Sequence, residues 1–420
     1  MKVMVIGGGG REHAIVKKIR ENQSVEEIFA LPGNGGIAED ATCVDIRAND
    51  VEKIVDFAVE NKIDFAVVAP DDPLVLGVVD ALEEVGIACF GPNKRAAILE
   101  GSKVFSKDLM KNYMIPTAQY EVFDDMQKAL EYLETAPIPT VVKADGLALG
   151  KGVVIAETRQ EAKDAVRSMM EDKIFGSSGD YIVIEEFLTG PEVSVLAFTD
   201  GTTMVPMVSS MDHKRALDGD RGLNTGGMGT IAPNPYYTDE TAKECMQTIF
   251  LPTMEAMNKE DRMFKGCLYF GLMLTTNGPK VIEYNCRFGD PETQVVLPLL
   301  ESDLLSIMQH IAEGTLAEAE VKFGNKSACC VIMASEGYPG KYETGVPITL
   351  PENNNQIYVA GAKMKDGAMV TAGGRVLGVT EVGNSLEEAI TKAYETVKKV
   401  KFENAYYRND IGKKALQAEV

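Results

Sequence analysis

The chain has 420 residues, 45% of them hydrophobic, and a formal charge of −21. That length supports two or three domains with their own cores, and no uncharged apolar run reaches the roughly 20 residues of a membrane span. A surface of this sign repels phosphate backbones, which excludes a long nucleic-acid footprint but leaves room for small anions where cations converge. Seven cysteines, an odd number, sit in apolar segments such as Ala328-Cys329-Cys330-Val331 with no pair at metal-ligand spacing, and read as reduced core thiols. Three histidines leave little scope for zinc held by imidazole. The opening Met1-Lys2-Val3-Met4-Val5-Ile6-Gly7 reads as a buried strand feeding a glycine turn rather than as a secretory signal, so the expectation is a cytoplasmic chain.

Strand-like runs at 3–6, 27–30, 41–45, 65–69 and 87–91 alternate with helical patterns, which predicts a parallel sheet of βα units. Turn signals follow several of them, including Gly7-Gly8-Gly9-Gly10, Pro32-Gly33-Asn34 and Pro70-Asp71-Asp72-Pro73, at the strand ends where such sheets bind ligands. A second region begins near Gly101-Ser102-Lys103, mixes strands and helices as an α+β unit, and closes with the strand Lys280-Val281-Ile282-Glu283. From Phe323 short strands precede a helix over 385–398, which reads as a small separate lobe. There is no internal repeat.

The run Gly7-Gly8-Gly9-Gly10-Arg11-Glu12-His13 leaves a strand and opens a helix, so its backbone N–H groups could receive a phosphate. The bland alternative is a tight βα turn, and Arg11 favours the anion site. The spacing departs from the dinucleotide fingerprint, whose third glycine would fall at Glu12 or His13. A second glycine-rich loop, from Lys143 through Gly146, Gly150 and Lys151 to Gly152, lacks the Walker pattern but has lysines at both ends and could fold over polyphosphate. An ordinary hairpin loop with solvated lysines is its alternative. Lys143, in a strand of apolar neighbours, calls for an anion or must snorkel to water. Glu185, Glu186, Phe187 and Leu188 end a strand, with Glu192 just beyond, and could offer backbone groups to a purine and an acid to ribose.

The sharpest local signal is Val281-Ile282-Glu283-Tyr284-Asn285-Cys286-Arg287-Phe288-Gly289-Asp290-Pro291-Glu292. Alternation puts Glu283, Asn285 and Arg287 on one face and Ile282, Tyr284 and Cys286 on the other. The first face offers two hard oxygens for Mg²⁺ and a guanidinium that could fork onto a carboxylate, although a plain amphipathic edge strand alternates in the same way. Met211-Asp212-His213-Lys214-Arg215 and Leu223-Asn224-Thr225-Gly226-Gly227-Met228-Gly229 are too polar and glycine-rich for core and read as site loops or solvated loops. His213, alone between charged neighbours, reads as a surface or supporting residue rather than an acid-base catalyst.

Taken in order, these segments, together with Leu99-Glu100-Gly101-Ser102-Lys103, resemble the glycinamide ribonucleotide synthetases of the ATP-grasp superfamily over nearly the whole chain. The resemblance implies three parts: a Rossmann-like N-terminal, substrate-binding domain at 1–102, an ATP-grasp domain at 103–322 with a lid at about 118–190, and a small C-terminal α+β domain at 323–420. It implies ATP contacts from Lys103, Lys143, Gly146, Gly150, Lys151, Gly152, Glu185, Glu186, Phe187, Leu188 and Glu192, and Mg²⁺ or Mn²⁺ held by Glu283 and Asn285. Gly8, Gly9, Gly10, Arg11, Glu12, Asn34, Asp212, Lys214, Asn224, Thr225, Gly226 and Arg287 would line the pocket for glycine and 5-phosphoribosylamine, with Arg287, Asp212 and Lys143 closest to the chemistry. Many ATP-grasp enzymes carry a further metal-binding carboxylate on the preceding strand, and Leu268-Tyr269-Phe270-Gly271-Leu272-Met273-Leu274 has none.

The implied reaction belongs to purine biosynthesis. It is ATP-dependent ligation of glycine to phosphoribosylamine through glycyl phosphate, giving glycinamide ribonucleotide, ADP and phosphate. Such chemistry needs no covalent nucleophile from the protein, only positioned cations and donors in a closed site. Arg287 is the expected grip on a substrate carboxylate. No nucleic acid or membrane partner is expected, and a monomer satisfies every feature noted. Two rivals stand beside this reading: a different ATP-grasp ligase or carboxylase, which need not share the Asp212 and Asn224 segments, and a non-catalytic nucleotide sensor.

Overall fold

A computed structural model describes residues 1–147 and 152–418. Its first sheet has five parallel strands in the order Thr42–Cys43, Glu27–Pro32, Lys2–Gly7, Phe65–Val68, Ala88–Phe90. The strand expected over 41–45 shrinks to the two exposed residues Thr42–Cys43 at the sheet edge. Alternation divides the central strand: Val3 and Val5 join the core beneath the helix Gly10–Arg20, and Met4 and Ile6 join the core beneath Val51–Glu60 and Val78–Glu84. Both faces are thus covered, as an all-parallel sheet requires. The strand order reverses beside Lys2–Gly7, the position at which open parallel sheets bind ligands.

Two antiparallel four-stranded sheets follow. One runs Tyr120–Phe123, Ile182–Glu186, Thr140–Ala144, Val153–Ala156, and buries the apolar faces of the helices Met126–Leu133 and Arg159–Met170. The other runs Met204–Pro206, Glu192–Thr199, Gly266–Thr275, Gly278–Asn285, over a core shared with the helix Leu251–Lys259. Thr117, just before Tyr120–Phe123, bridges to Val281 of the second sheet. This is the α/β and α+β multidomain architecture that the sequence predicts.

The last sheet differs from expectation. Its order is Met211–Asp212, Gly229–Ala232, Ser327–Ser335, Arg375–Gly383, Ile357–Val359, with Ala405–Tyr406 paired to Ser327–Ser335. Gly229–Ala232 pairs directly with Ser327–Ser335, so the small C-terminal domain shares its sheet with chain that precedes Phe323. Met228, which the sequence puts in a polar, glycine-rich loop, is fully buried.

Two side chains clamp this lobe to the first sheet. Asn34 Nδ2 donates to Gly8 O (3.0 Å) and Val359 O (2.7 Å), while its Oδ1 accepts from Gly36 N (2.8 Å) and Ile37 N (2.9 Å). His13 Nδ1 accepts from Val359 N (2.8 Å), so both polar groups of Val359 are held by the N-terminal domain. His213 is equally internal: its Nε2 accepts from Gly412 N (3.1 Å) and its Nδ1 donates to Gly229 O (3.1 Å).

Replacing Asn34 with Ala should cost about 3 kcal/mol in denaturant unfolding, because it orphans several buried backbone groups at once. A loss below about 1 kcal/mol would remove Asn34 from the clamp. Burial pushes His13 down to about 3 and His213 down to about 4, so both fold as neutral imidazoles. Unfolding restores an ordinary value near 6.5, the unfolded chain then binds more protons, and stability should fall as pH drops from about 6.5 toward 4. The unfolding midpoint of His213→Gln should depend less on pH across that window than that of the unsubstituted chain, and equal slopes would refute the assignment.

Candidate active site

The two antiparallel sheets face each other across a cleft, and lysines cross it. Lys143, on Thr140–Ala144, donates through Nζ to Ile282 O on the opposite sheet (3.1 Å) and lies 3.0 Å from Glu185 Oε1, an ion pair without hydrogen-bond alignment. Lys107, one turn beyond Lys103 on the helix Lys103–Asn112, lies 3.2 Å from Glu185 Oε2 and donates to Thr117 Oγ1 (2.8 Å). Burial pulls Lys107 down to about 8, against the opposing pull of Glu185. Lys143 does not snorkel, being only 4% exposed, because Glu185 supplies its anion. Lys103 Nζ donates to Gly146 O (2.7 Å), and Asp145 accepts from Ser102 Oγ (3.2 Å) and Val104 N (3.1 Å), so the glycine loop is tied to the helix start.

The carboxylates of the strand end expected to meet adenosine already have partners in the chain. The Glu185 carboxylate is spent on two lysines, and Glu186 accepts from Gln119 N (3.0 Å) and Lys280 Nζ (3.0 Å). Phe187 is 38% exposed and Leu188 half-buried in the connection between the sheets. Glu192 remains the open acid of the group, 3.3 Å from Lys214 Nζ. Gly150 and Lys151 lie outside the described residues, as does Leu149, and Gly152 O accepts from Ala144 N (2.8 Å) at the base of the loop.

A bulge shapes the opposite wall. Gly271 pairs with Glu283 but Leu272 pairs with Val281, which makes Ile282 an extra residue in the strand. Val281 and Tyr284 consequently share one core although three residues apart, and Ile282, expected beside Tyr284 and Cys286, drops out of it. Glu283 and Asn285 face the cleft as predicted. Lys214 Nζ lies 3.6 Å from Glu283 Oε1, and Asn285 Oδ1 accepts from Arg287 Nη2 (3.0 Å). Burial works to raise the Glu283 carboxyl, but Lys214, Lys143, Lys103 and Arg287 outweigh it and hold the group below its ordinary value. Glycine stands opposite Glu283, so the missing carboxylate of the preceding strand has no local substitute. Among the described residues no group of three or more His, Cys, Asp or Glu is placed to hold a metal. Two oxygens, one of them a firmly ionised carboxylate, suit Mg²⁺ in the mode where phosphates and water complete the shell, and do not make an all-protein cage.

Arg287 is less free than the sequence suggested. Its Nη2 lies 3.0 Å from Glu100 Oε1, and Glu100 Oε2 accepts from Cys286 N (2.7 Å). Burial pushes Glu100 up to about 7, with Arg287 opposing. Arg287 Nη1 also donates to Phe288 O (3.3 Å), and Nε is buried without a partner. The glycine loop is likewise occupied. Gly9 N donates to Glu12 Oε2 (2.6 Å), Arg11 N makes a long contact to Asp290 Oδ2 (3.4 Å), and the Arg11 side chain holds Glu12 Oε1 (2.6 Å) and Phe288 O (3.1 Å). The expected phosphate cradle thus faces two carboxylates, and Gly8, Gly9 and Gly10 pack closely around Gly33, Glu12 and Gln294. Asn34, expected to touch substrate, has its carboxamide committed to the chain.

Asp212 and Lys214 sit together as predicted, on either side of the buried His213 rather than in a solvated loop. Burial, reinforced by Glu292, holds the Asp212 carboxyl well above the carboxylate range against Lys214 and Arg375. Thr225 Oγ1 donates to Lys214 O (2.9 Å) and accepts from Gly227 N (3.0 Å), which folds the 224–227 turn back on Lys214. Gly227 has φ +113, and a Cβ there would lie 2.6 Å from Asp212 Oδ1. Behind Asp212, Tyr269 donates to Glu292 Oε1 (3.0 Å) and shares a hydrogen bond with Ser194 (2.7 Å).

Sequence reasoning missed Lys107, Glu100, Glu292, Tyr269 and Arg375 as site residues. Lys107 had a signal, four residues after Lys103 on one helix face. Arg375 had none beyond following two glycines, since only the shared sheet brings it to the cleft.

Three family models cover the chain: the phosphoribosylglycinamide synthetase N domain over residues 1–100, its ATP-grasp (A) domain over 101–293 and its C domain over 328–414. The phosphoribosylamine-glycine ligase of Caldanaerobacter subterraneus is 48% identical over 98% of this chain and 99% of its own length. That of Clostridium acetobutylicum is 46% identical over 98% of this chain and 100% of its own length. The crystal structure of the Thermotoga maritima phosphoribosylamine-glycine ligase superposes with a TM-score of 0.86 at 36% identity, covering 98% of this chain and 100% of that one. The biotin carboxylase domain of a Hydrogenobacter thermophilus 2-oxoglutarate carboxylase, solved with MgADP, shares the fold at TM-score 0.74 and 16% identity, covering 97% of this chain and 91% of that one. With family models matched along most of its length and close relatives covering nearly all of it, the chain belongs to the phosphoribosylglycinamide synthetase family.

Proposed function

We infer that this protein ligates glycine to 5-phosphoribosylamine at the expense of ATP, as its relatives' names state for them, and that the cleft between the antiparallel sheets is where it does so. The observation that carries the site is the convergence of Lys214, Lys143, Lys103 and Arg287 on the single carboxylate of Glu283. In a chain of charge −21, such a grouping of cations supports a place for a polyphosphate.

On this reading Lys103 and Lys143 meet the phosphates, and Glu283 and Asn285 supply the two protein oxygens for Mg²⁺. The metal, when bound, neutralises phosphate charge as the γ-phosphoryl group is transferred. Glycine's carboxylate attacks the γ-phosphorus, the bond to ADP breaks, and glycyl phosphate forms. The amine of phosphoribosylamine then attacks the glycyl carbonyl, phosphate leaves, and one proton is lost from nitrogen. The lysines and backbone donors spread charge in the first step, and we assign the Arg287 guanidinium to the substrate carboxylate. Exclusion of water preserves the acyl phosphate. We place the lid near 118–190, where the smaller antiparallel sheet and its two helices form one unit.

Glycine labelled with ¹⁸O in its carboxylate should deliver one labelled oxygen to the released phosphate per turnover in the presence of phosphoribosylamine and ATP. Unlabelled phosphate would sink the acyl phosphate route. Glu283→Gln should fold normally and lose about 100-fold or more in kcat, since a carboxylate facing transferring phosphates is removed. Retention of more than about a third of the rate would contradict the metal assignment. Glu185→Gln should raise the KM for ATP about tenfold while leaving that for glycine unchanged, because Lys143 loses the anion that aims it. Equal changes in both would deny Glu185 that role.

A further inference from the structure

The C-terminal lobe grips a glycine at the edge of the cleft. Arg375 opens the strand Arg375–Gly383, and its Nη1 donates to Gly226 O (2.7 Å) and Asp290 O (2.9 Å), with a longer approach to Gly227 O (3.4 Å). Its Nη2 lies 3.4 Å from Asp290 Oδ1. From the other side, Tyr338 Oη accepts from Gly226 N (3.1 Å). Both backbone polar groups of Gly226 are therefore read by side chains of one lobe. The fit is tight, since a Cβ on Gly226 would lie 2.9 Å from Arg375 Cζ.

What the grip holds is the turn that backs Asp212. The next residue, Gly227, is at φ +113 and close against both Asp212 and Pro291. Asp290, held by the same guanidinium, also accepts from Gln294 Nε2 (2.9 Å) and faces Arg11 N of the glycine loop. One planar fork thus sets the spacing of three walls: the 224–227 turn, the 290–292 segment and, through Asp290, the glycine loop. A lysine could satisfy one of these carbonyls but not the set, because its ammonium lacks the fixed fork.

We propose that Arg375 and Tyr338 are positioning residues for the ligase reaction, fixing the 224–227 turn so that the pocket for the non-nucleotide substrates has its working shape. The inference rests on the functional reading above. It predicts selectivity: the grip lies away from Lys103, Lys107 and Lys143, so nucleotide affinity should not depend on it.

The test is steady-state kinetics of Arg375→Lys and Tyr338→Phe beside the unsubstituted enzyme, with a thermal melt of each. In Arg375→Lys the KM for glycine, for phosphoribosylamine or for both should rise about tenfold, and the KM for ATP should stay within about twofold. Tyr338→Phe, which removes one hydroxyl and keeps the ring, should show the same pattern at about threefold and carries the test alone if the arginine variant fails to fold. Three unchanged KM values, or all three rising in step with a lowered melting point, would overturn the proposal, the latter marking the grip as mere adhesion between lobes. An unsubstituted enzyme that forms no glycine amide would instead overturn the functional reading.

Discussion

Everything in the cleft depends on how an acidic chain gathers positive charge without repelling itself apart. Lys107 and Lys143 share Glu185, Lys214 is held between Glu192 and Glu283, and Arg287 is held by Glu100. Each cation has an internal counter-ion, which offsets the cost of burying it and fixes its direction. Glu283 is different, because four cations act on one carboxylate. A polyphosphate entering beside Glu283 meets cations that are already aimed there.

The same logic explains why several anticipated ligand groups turn inward. A helix N-terminus attracts anions, and at Gly10–Arg20 the chain supplies its own in Glu12 and Asp290. Arg287 spends most of its fork on Glu100 and Asn285. These pairings hold three segments of the chain in fixed positions before any substrate arrives, which is what preorganisation for acyl transfer demands.

Much of this was legible in the sequence because local pattern decided it. The alternating strands of the first sheet, the glycine turn at its switch point, and Glu283 and Asn285 on one face all follow from spacing within a few residues. What escaped was set by distant partners. The bulge that expels Ile282 depends on the register with Gly266–Thr275, which period-two counting along one strand does not contain. Lys143 was read as waiting for a ligand because Glu185, some forty residues on, is its neighbour only after the sheet forms. The strand that Gly229–Ala232 adds to the C-terminal sheet escaped because it is distant in sequence from Ser327–Ser335. Arg375 could not be linked to Gly226 without that pairing.

A crystal structure of the protein with ADP and Mg²⁺ tests the central claim most directly. The account predicts the nucleotide phosphates between Lys143 and Glu283, with the metal on the Glu283 and Asn285 oxygens. Phosphates bound instead at the 7–10 glycine loop, with Lys143 still paired only to Glu185 and no ligand beside Glu283, would contradict it.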